Sequence, residues 1–598
     1  MREFSLPALY EVPADGNLTD IVRRNAAQHP DVAVIARKVG GVWQDVTATA
    51  FQAEVRAAAK GLIASGVRPG DRVALMSRTR YEWTLLDFAI WSAGAVTVPV
   101  YETSSPEQVQ WILSDSGATA CVVELPAHAE AVESVRATLP ALKHVWQIED
   151  GGIAELERAG QDVPDSAVEE RSSIAGADDP ATIVYTSGTT GRPKGCVLTH
   201  RSFFAECGNI VERLRPLFRT GECSVLLFLP LAHVFGRLVQ IAPMMAPIKL
   251  GCVPDIKNLT DELAAFRPTL ILGVPRVFEK VYNSARAKAQ ADGKGKIFDK
   301  ATDTAIAFSK AQDTPSGPSL GLRIKHTVFD KLVYSKLRAV LGGRGEYAIS
   351  GGAPLGERLG HFFRGIGFTV LEGYGLTESC AATAFNPWDR QKIGTVGQPL
   401  PGSVVRIADD GEVLLHGEHL FKGYWNNEAA TAEALADGWF HTGDVGTLDE
   451  DGYLRITGRK KEIIVTAGGK NVAPAVIEDR IRAHALVAEC MVVGDGRPFV
   501  GALVTLDNEF LDRWAADHGK PAGSTATSLR DDPDLLAAIQ AAVDDGNAAV
   551  SKAESVRKFR ILSSQFSEES GHLTPSLKLK RNVVAKDYAD EIEAIYAK

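Results

Sequence analysis

Residues 181–195 read ATIVYTSGTTGRPKG, a short apolar strand that runs directly into a loop of glycines, hydroxyl residues and a lysine. Glycines let the backbone come close to a ligand, while N–H groups and hydroxyls donate hydrogen bonds to phosphate oxygens. The spacing differs from the GxxxxGK[ST] pattern of a Walker A loop. A flexible surface turn is the simpler alternative. The preceding strand, the loop length, the hydroxyl content and Lys194 together favour a phosphate-binding loop.

Strands alternate with helical patterns on both sides of this loop. RVALM (72–76), AVTVPVY (95–101) and ATACVVE (118–124) are separated by segments with helical periodicity, and the same rhythm returns at 181–185 and 269–274. This alternation predicts an α/β fold with doubly wound, largely parallel sheets.

The pattern changes after residue 398. Short alternating strands and Asp-Gly turns at 399–457 predict an antiparallel β subdomain, and about 125 residues with strands and helices of their own follow. We therefore predict a large N-terminal domain of αβαβα type (1–458) and a small α+β C-terminal domain (463–598), with the domain boundary between them.

Composition excludes several classes of protein. The chain has 598 residues and a formal net charge of −10, which disfavours sequence-independent nucleic-acid binding. The seven cysteines are scattered and form no CxxC pair, which argues against a disulfide framework or a thiolate metal site and for a reducing compartment. No targeting segment is visible, and the apolar stretch 225–250 carries polar residues and prolines. We expect a cytoplasmic protein; peripheral contact with the inner face of a membrane and a homodimeric state stay open.

Further motifs follow the loop along the chain: LPLAHVFGR (229–237), VPRVFEK (274–280), SGGAPL (350–355), EGYGLTE (372–378), WFHTGD (439–444), GRKKEIIVTAGGKNVAP (458–474) and LTPSLKLKR (573–581). Together with YTSGTTGRPKG they resemble, in order, the motifs of the ANL adenylate-forming superfamily. The residues of these motifs are most similar to those of long-chain fatty-acyl-CoA synthetases. The resemblance implies that ATP activates a fatty acid to acyl-AMP, with release of pyrophosphate, and that CoA then displaces AMP to give acyl-CoA.

The resemblance also implies where the nucleotide binds. Tyr374 would stack on adenine, Thr377 would contact the α-phosphate, and the two oxygens of Asp444 would accept from the ribose hydroxyls. The implied ATP- and AMP-binding residues are Thr186, Ser187, Gly188, Thr189, Thr190, Gly191, Lys194, Gly352, Ala353, Pro354, Glu372, Gly373, Tyr374, Gly375, Thr377, Asp444, Arg459 and Lys578.

The implied cofactor is Mg²⁺, with ATP and CoA as cosubstrates and no nucleic-acid partner. Glu378 would hold the ion and Thr186 would share it, since Mg²⁺ prefers hard oxygen ligands completed by substrate phosphates. The implied catalytic residues are Lys578, Glu378, Thr377, Thr186 and Lys194.

Lys578 matches a mobile lysine that bridges the substrate carboxylate and the α-phosphate during adenylation. Here Leu577 stands where the family more often has glycine, and Lys580 is an alternative two residues on. The resemblance also implies a hinge at residues 459–462, where Lys461 matches the hinge position at which many members carry aspartate.

The acyl and CoA contacts rest on weaker signals. His233 is either a core histidine or a residue at the carboxylate end of an acyl site that also includes Phe228, Val234 and Gly351. Gly468, Gly469 and Lys470 resemble a loop that faces the path of pantetheine.

Two rival functions remain open at this point. An acyl-AMP ligase that loads a carrier protein is disfavoured, because the short segment 444–459 shows no insertion and no carrier domain is appended. A catalytically inactive lipid- or nucleotide-binding relative is disfavoured because Lys194, Glu378, Asp444 and Lys578 are intact. The acyl chain length is not fixed by these patterns.

Overall fold

Two large β-sheets with helices on their faces form the frame of the longer part of the chain, which confirms the predicted α/β fold. The computed structural model describes residues 1–186, 192–574 and 578–597. The strands and helices up to residue 273 are β1 (Glu3–Ser5), α1 (Thr19–Gln28), β2 (Ala33–Val39), β3 (Val42–Thr47), α2 (Ala48–Ala64), β4 (Arg72–Met76), α3 (Tyr81–Ser92), β5 (Val96–Val100), α4 (Pro106–Ser116), β6 (Ala120–Val123), α5 (Pro126–Val135), β7 (His144–Gln147), α6 (Gly152–Ala159), α7 (Asp165–Ser172), β8 (Pro180–Thr186), β9 (Lys194–Thr199), α8 (His200–Arg213), β10 (Ser224–Leu227), α9 (Val234–Met245), β11 (Lys249–Cys252), α10 (Leu259–Phe266) and β12 (Leu270–Gly273).

The middle of the chain completes this frame and adds the antiparallel subdomain. Its elements are α11 (Pro275–Ala291), α12 (Gly295–Gln312), α13 (Leu320–Phe329), α14 (Ser335–Val340), β13 (Tyr347–Ser350), α15 (Glu357–Gly365), β14 (Thr369–Tyr374), β15 (Ala384–Phe385), β16 (Gln398–Pro399), β17 (Ser403–Ile407), β18 (Glu412–Gly417), β19 (Gly423–Tyr424), α16 (Glu428–Ala434), β20 (Phe440–Leu448) and β21 (Leu454–Arg459). A π-helical turn, Asp330–Tyr334, joins α13 to α14.

The last part of the chain has its own small sheets. Its elements are β22 (Ile464–Val465), β23 (Asn471–Val472), α17 (Pro474–Arg482), β24 (Val487–Val493), β25 (Val500–Leu506), α18 (Asn508–Asp517), α19 (Ala526–Leu529), α20 (Pro533–Asn547), β26 (Val556–Ile561), α21 (Arg581–Asp587) and α22 (Ala589–Tyr596).

The two large sheets are parallel at their centres and antiparallel at their edges, except at β7, which is an edge strand parallel to β6. One runs β19-β9-β8-β5-β4-β6-β7, with β9 and β19 antiparallel. The other runs β16-β15-β14-β13-β12-β10-β11-β2-β3, and its outer strands β15, β16 and β3 are antiparallel. The five-stranded sheet β1-β17-β18-β20-β21 is antiparallel throughout, as its turn-rich sequence predicts.

The hydrophobic core is divided along the chain. One large cluster joins apolar residues between Leu18 and Leu454, including nearly all of α3, in which every residue except Glu82 is buried. A helix that is apolar all round must be covered on every side. Separate clusters are formed by residues from Ile464 onward.

All seven cysteines are buried and free of disulfides. Within the described part of the chain, the helices are too short or too polar to span a bilayer.

Candidate active site

A cavity opens where β12, β13 and β14 end, at the edge of the sheet where open α/β folds bind ligands. The volume of the cavity is about 700 Å³, including the part open to solvent. Apolar side chains of α8 and α9 form much of its wall, among them Ile210 and Leu238, together with Leu214 just after the end of α8. The predicted residues that line it are His233, Val234, Gly351, Gly352, Gly373, Tyr374, Gly375, Thr377 and Lys578.

An acid, a phenol and a guanidinium meet beside the cavity. The β20–β21 register sets Asp444 opposite Arg459, and Arg459 Nε lies 2.9 Å from Asp444 Oδ1. The Tyr374 hydroxyl, at the end of β14, donates to Asp444 Oδ2 over 2.6 Å. Burial raises the pKa of Asp444, and the Arg459 charge opposes that rise. A buried carboxylate is thereby fixed with both oxygens engaged, next to the ring of Tyr374.

A second cluster surrounds Glu378. It follows Thr377 in a short 3₁₀ turn, and its Oε1 accepts from the Tyr424 hydroxyl over 2.7 Å. Lys194 Nζ lies 5.0 Å from the centre of the Tyr424 ring. The β8–β9 register places Thr186 opposite Lys194. The structure thus brings Thr186, Lys194 and Glu378 together through Tyr424.

The tip of the predicted phosphate loop lies outside the described residues. It comprises Ser187, Gly188, Thr189, Thr190 and Gly191. Pro575, Ser576 and Leu577, just before the predicted mobile lysine, also lie outside the description.

Lys578 lies in the cavity, whereas Lys580 is not among the described residues that line it. The Lys578 N–H donates to Thr574 Oγ1 over 3.0 Å, and a single bridge pairs Leu573 with Leu579. Lys578 is exposed to solvent at the mouth of the cavity. Desolvation by the surrounding protein and the Arg459 charge lower the pKa of Lys578, whereas the charges of Glu378 and Asp444 raise it. An ammonium in this position is strongly favoured by the arrival of an anion.

His233 caps the N-terminus of α9, and its Nδ1 accepts from the Phe235 N–H over 3.2 Å. Burial, together with the nearby charge of Lys578, lowers the pKa of His233 to about 3, so the ring is neutral. With Nδ1 as acceptor, the proton of the neutral ring is on Nε2, which can donate. Phe228 differs from the other predicted acyl residues: it is absent from the described lining, and its ring lies against Gly273.

The strand-turn after β13 is exposed at Gly352, one of the implied nucleotide-binding residues. Gly352 has φ +87°, a conformation that favours glycine, and Ala353 and Pro354 are exposed beside it. Glu372 is buried, and its Oε2 accepts from the Leu355 N–H over 3.0 Å. Burial raises the pKa of Glu372 to about 7, although the hydrogen bond from Leu355 acts to lower it.

The predicted hinge and CoA residues lie outside the cavity. Lys461 is in a 3₁₀ turn, Lys460–Glu462, between β21 and β22. Gly468, Gly469 and Lys470 are exposed between β22 and β23, with Lys470 Nζ 3.5 Å from Glu554.

Sequence reasoning missed Tyr424 and Glu206. Tyr424 belongs to a two-residue strand without a recognisable pattern. Glu206 lies in the apolar run of α8 and accepts from the Ala382 N–H at the cavity wall. The sequence does carry one sign of Glu206: an acidic residue that stands among the apolar residues Phe203, Phe204 and Cys207 is expected to be buried.

Comparison with known proteins decides the family. A family model described as AMP-binding enzyme matches residues 22–425, and a model described as AMP-binding enzyme C-terminal domain matches residues 461–598. The chain belongs to the AMP-binding enzyme family. The resemblance to adenylate-forming enzymes that its motifs carry is thereby confirmed.

This AMP-binding enzyme has close full-length relatives. It is 52% identical to the long-chain-fatty-acid–CoA ligase FadD15 of Mycobacterium tuberculosis, over 100% of both chains. It is 32% identical to the long-chain-fatty-acid–CoA ligase ACSBG2 of Xenopus laevis, over 95% of this chain and 82% of the relative. The adenylation domain of a carboxylate reductase from Mycobacterium chelonae shares the fold, with a TM-score of 0.73, 22% identity and coverage of 98% and 91%.

Proposed function

We propose that this AMP-binding enzyme is an ATP-dependent long-chain fatty-acid–CoA ligase. The observation that carries the proposal is the meeting of Lys578, His233 and Thr377 in one apolar-walled cavity, with Asp444 and Glu378 beside it. Identity of 52% with a long-chain-fatty-acid–CoA ligase along the whole chain supports the same activity.

The reaction joins anions, so positive charge and positioning are the main requirements. The fatty-acid carboxylate attacks the α-phosphate of ATP and pyrophosphate leaves; the CoA thiolate then attacks the acyl carbonyl and AMP leaves. Lys578 bridges the carboxylate and the α-phosphate, and Thr377 donates to the same phosphate. Neutral His233 donates from Nε2 to the carboxylate end of the acid.

Tyr374, Asp444 and Arg459 hold the nucleoside in this proposal. Asp444 already has one oxygen on Tyr374 and one on Arg459, which fixes the carboxylate before the ribose hydroxyls arrive. The Tyr374 ring, held by its hydroxyl, offers a face for adenine.

The oxygen ligands around Glu378 fit Mg²⁺. Tyr424 engages Oε1, which leaves Oε2 for an ion, and Thr186 adds a hydroxyl. The described residues include no cluster of three or more His, Cys, Asp or Glu suited to a metal. A site with one carboxylate suits Mg²⁺ because substrate phosphates complete its coordination. The ion would neutralise phosphate charge there.

The proposal includes a movement of the last domain about residues 459–462, with Lys461 as the hinge. Hydrophobic cores that end at Leu454 and resume at Ile464 support a division there. Gly468, Gly469 and Lys470 would approach the CoA path after the movement. A cytoplasmic location, with peripheral contact at the inner face of a membrane, is part of the same proposal; buried free thiols suit a reducing compartment.

Lys578→Ala tests the role of the mobile lysine. We expect acyl-adenylate formation to fall by about 10²–10³, because one preorganised positive donor is lost. Conversion of supplied acyl-AMP and CoA to acyl-CoA should stay near the wild-type rate. Both half-reactions can be followed by pyrophosphate release and by mass spectrometry of acyl-CoA. Lys580→Ala is the matched control, and full adenylation by Lys578→Ala would contradict the assignment.

The overall activity is tested by a panel of straight-chain acids from acetate to very long chains. A ligase for long chains should release pyrophosphate and form acyl-CoA with maximal kcat/KM at long chain lengths. Pyrophosphate release without acyl-CoA would instead identify an enzyme that delivers its acyl group elsewhere. No pyrophosphate with any acid would identify a binding protein.

A further inference from the structure

The surface of α13 and the following π turn carries a row of exposed apolar side chains. Leu320, Ile324, Val328 and Leu332 are 75%, 59%, 50% and 53% exposed, and they recur at intervals of four residues. That interval keeps side chains on one side of a helix. A π turn rotates the chain less per residue than an α turn, which limits drift of the row around the axis.

The opposite side of the same segment is fixed to the protein. His326 Nε2 lies 2.6 Å from the Gly365 carbonyl oxygen, and its ring stacks on Phe308 with centroids 3.9 Å apart. Tyr334 is fully buried, and its hydroxyl donates to the Ala301 carbonyl over 2.7 Å. The apolar row is therefore presented outward by an anchored element.

Basic residues flank the row although the whole chain is acidic. Residues 320–340 contain five Lys and Arg and one acid, Asp330, against a chain total of −10. Asp330 is paired with Arg338 over 2.7 Å. Four basic side chains form no ion pair with any residue that the structure describes: Arg323, Lys325, Lys331 and Lys336.

We propose that this face, the α13 row (Leu320, Ile324, Val328 and Leu332), docks on an anionic phospholipid bilayer. A helix with apolar residues on one side and basic residues beside them lies in the interface of such a bilayer, with its apolar side among the acyl chains. Lipid phosphates and anionic headgroups attract the flanking Lys and Arg.

The proposed function supplies a reason for this partner, and the inference rests on it. A long-chain fatty acid partitions into bilayers because each buried methylene is favourable. A ligase docked by the α13 row would meet its substrate where that substrate is concentrated.

A second copy of the chain is a poorer occupant. In a twofold interface the same patch faces itself, so the basic side chains along the row would oppose one another. Like charges brought together in this way disfavour the dimer and favour an anionic surface.

Flotation of the full-length protein with vesicles tests the proposal. The vesicles contain equal parts of phosphatidylglycerol and phosphatidylcholine, or phosphatidylcholine alone, without ATP or CoA. We expect binding to the anionic vesicles that weakens with added salt. Ile324→Glu/Val328→Glu should lower the partition coefficient at least tenfold, and Lys325→Ala/Lys331→Ala should lower it by about thirtyfold.

The matched control is Val39→Glu/Val42→Glu, at an exposed hairpin tip where these residues are 48% and 64% accessible. It should bind vesicles like the wild type. All variants should make acyl-CoA from albumin-delivered fatty acid at the wild-type rate, with unchanged melting temperatures. Because binding is measured without cosubstrates, loss of ligase activity and loss of docking are separate results.

Three outcomes would overturn the inference. One is equal binding by the wild type and both α13 variants; another is binding indifferent to lipid charge. The third is a dimer in sedimentation velocity that Ile324→Glu/Val328→Glu dissociates while vesicle binding persists, which would assign the row to a second copy.

Discussion

Glu206 holds a strained loop at the wall of the cavity. One carboxyl oxygen accepts from the Ala382 N–H, while Oε2 has no hydrogen-bond partner within the described structure. Burial raises the pKa of Glu206 well above its usual range and so favours the neutral carboxylic acid. Cys380 and Ala381 have φ of +60° and +110°, conformations that cost energy for residues other than glycine. Glu206 is thus a positioning residue for the turn that carries Glu378.

Replacement of Glu206 distinguishes its hydrogen bond from its charge. Glu206→Gln keeps an acceptor for Ala382 and should change KM for the fatty acid less than twofold. Glu206→Ala leaves the partly buried Ala382 N–H without its acceptor, at a cost of up to about 1–3 kcal/mol, and should lower the melting temperature and raise that KM. Steady-state kinetics and thermal melts check both variants. A glutamine variant as impaired as the alanine variant would show that an ionised carboxylate is needed.

Glu372 predicts a pH dependence of stability. Its pKa is about 7 in the folded chain against an ordinary 4.5, because the carboxyl is buried. The folded state therefore binds more protons in this range, and the free energy of unfolding falls as the pH rises from 4.5 to 7. Glu372→Gln removes this loss. The variant should gain up to about 3 kcal/mol over the wild type across that interval, with no further gain above pH 7.

Thermal melts of Glu372→Gln at a series of pH values measure this difference. Glu450→Gln, at an exposed turn, is the control and should follow the wild type. A constant offset between Glu372→Gln and the wild type from pH 5 to 8 would refute the titration of Glu372.

The two-residue strand β19 is a small element with a large effect on the site. Its pairing with β9 sets Tyr424 opposite Cys196 and brings its hydroxyl to Glu378. Tyr424→Phe keeps the ring beside Lys194 but releases the carboxylate. We expect about tenfold more Mg²⁺ to be required for half-maximal pyrophosphate release, since a hydrogen bond to a charged group contributes about 1.5–3 kcal/mol.

Magnesium titrations of adenylation provide the measurement for Tyr424→Phe. Tyr453→Phe is the control. It also removes a tyrosine hydroxyl, but that hydroxyl donates to the Arg390 carbonyl and not to Glu378. An unchanged magnesium requirement in Tyr424→Phe would mean that the hydroxyl does not orient Glu378.

Local elements were predictable, and their distant partners were not. RVALM was predicted as a strand over 72–76 and is β4, because its apolar run is bounded by turn residues. The strand after the phosphate loop, β9, was not predicted, since a short apolar run carries no sign of antiparallel pairing. Glu206 and Ala382 are 176 residues apart, and no local periodicity encodes such a contact. Phe228 had a suitable side chain, but its direction depends on packing against Gly273.

The C-terminal part of the molecule rests on the N-terminal part through a few polar contacts. Arg276 of α11 lies 3.0 Å from Asp507, and the Thr103 hydroxyl donates to Glu568 over 2.9 Å. In this arrangement Lys578 lies in the cavity. The contacts favour the arrangement that the proposed role of Lys578 in adenylation requires, and the proposed hinge movement would break them before CoA reacts.

Arg276→Ala should shift the balance between the two half-reactions. An exposed ion pair contributes about 0–1 kcal/mol, so adenylation should slow by up to about fivefold while conversion of acyl-AMP to acyl-CoA is unchanged or faster. Single-turnover measurements of each half-reaction report the ratio. Arg513→Ala removes an ion pair within α18 and should leave the ratio alone. Equal slowing of both half-reactions by Arg276→Ala would argue against a role in domain arrangement.

The burial of every cysteine has a consequence for an enzyme whose cosubstrate is a thiol. Mixed disulfides form when a thiolate attacks a disulfide, so they require an ionised and accessible sulfur. Burial raises the pKa of Cys121 and Cys252 to about 12, and all seven sulfurs are shielded from solvent. Oxidised CoA therefore finds no partner on the folded surface. The folded protein is therefore expected to form no mixed disulfides with CoA when the surrounding CoA becomes oxidised.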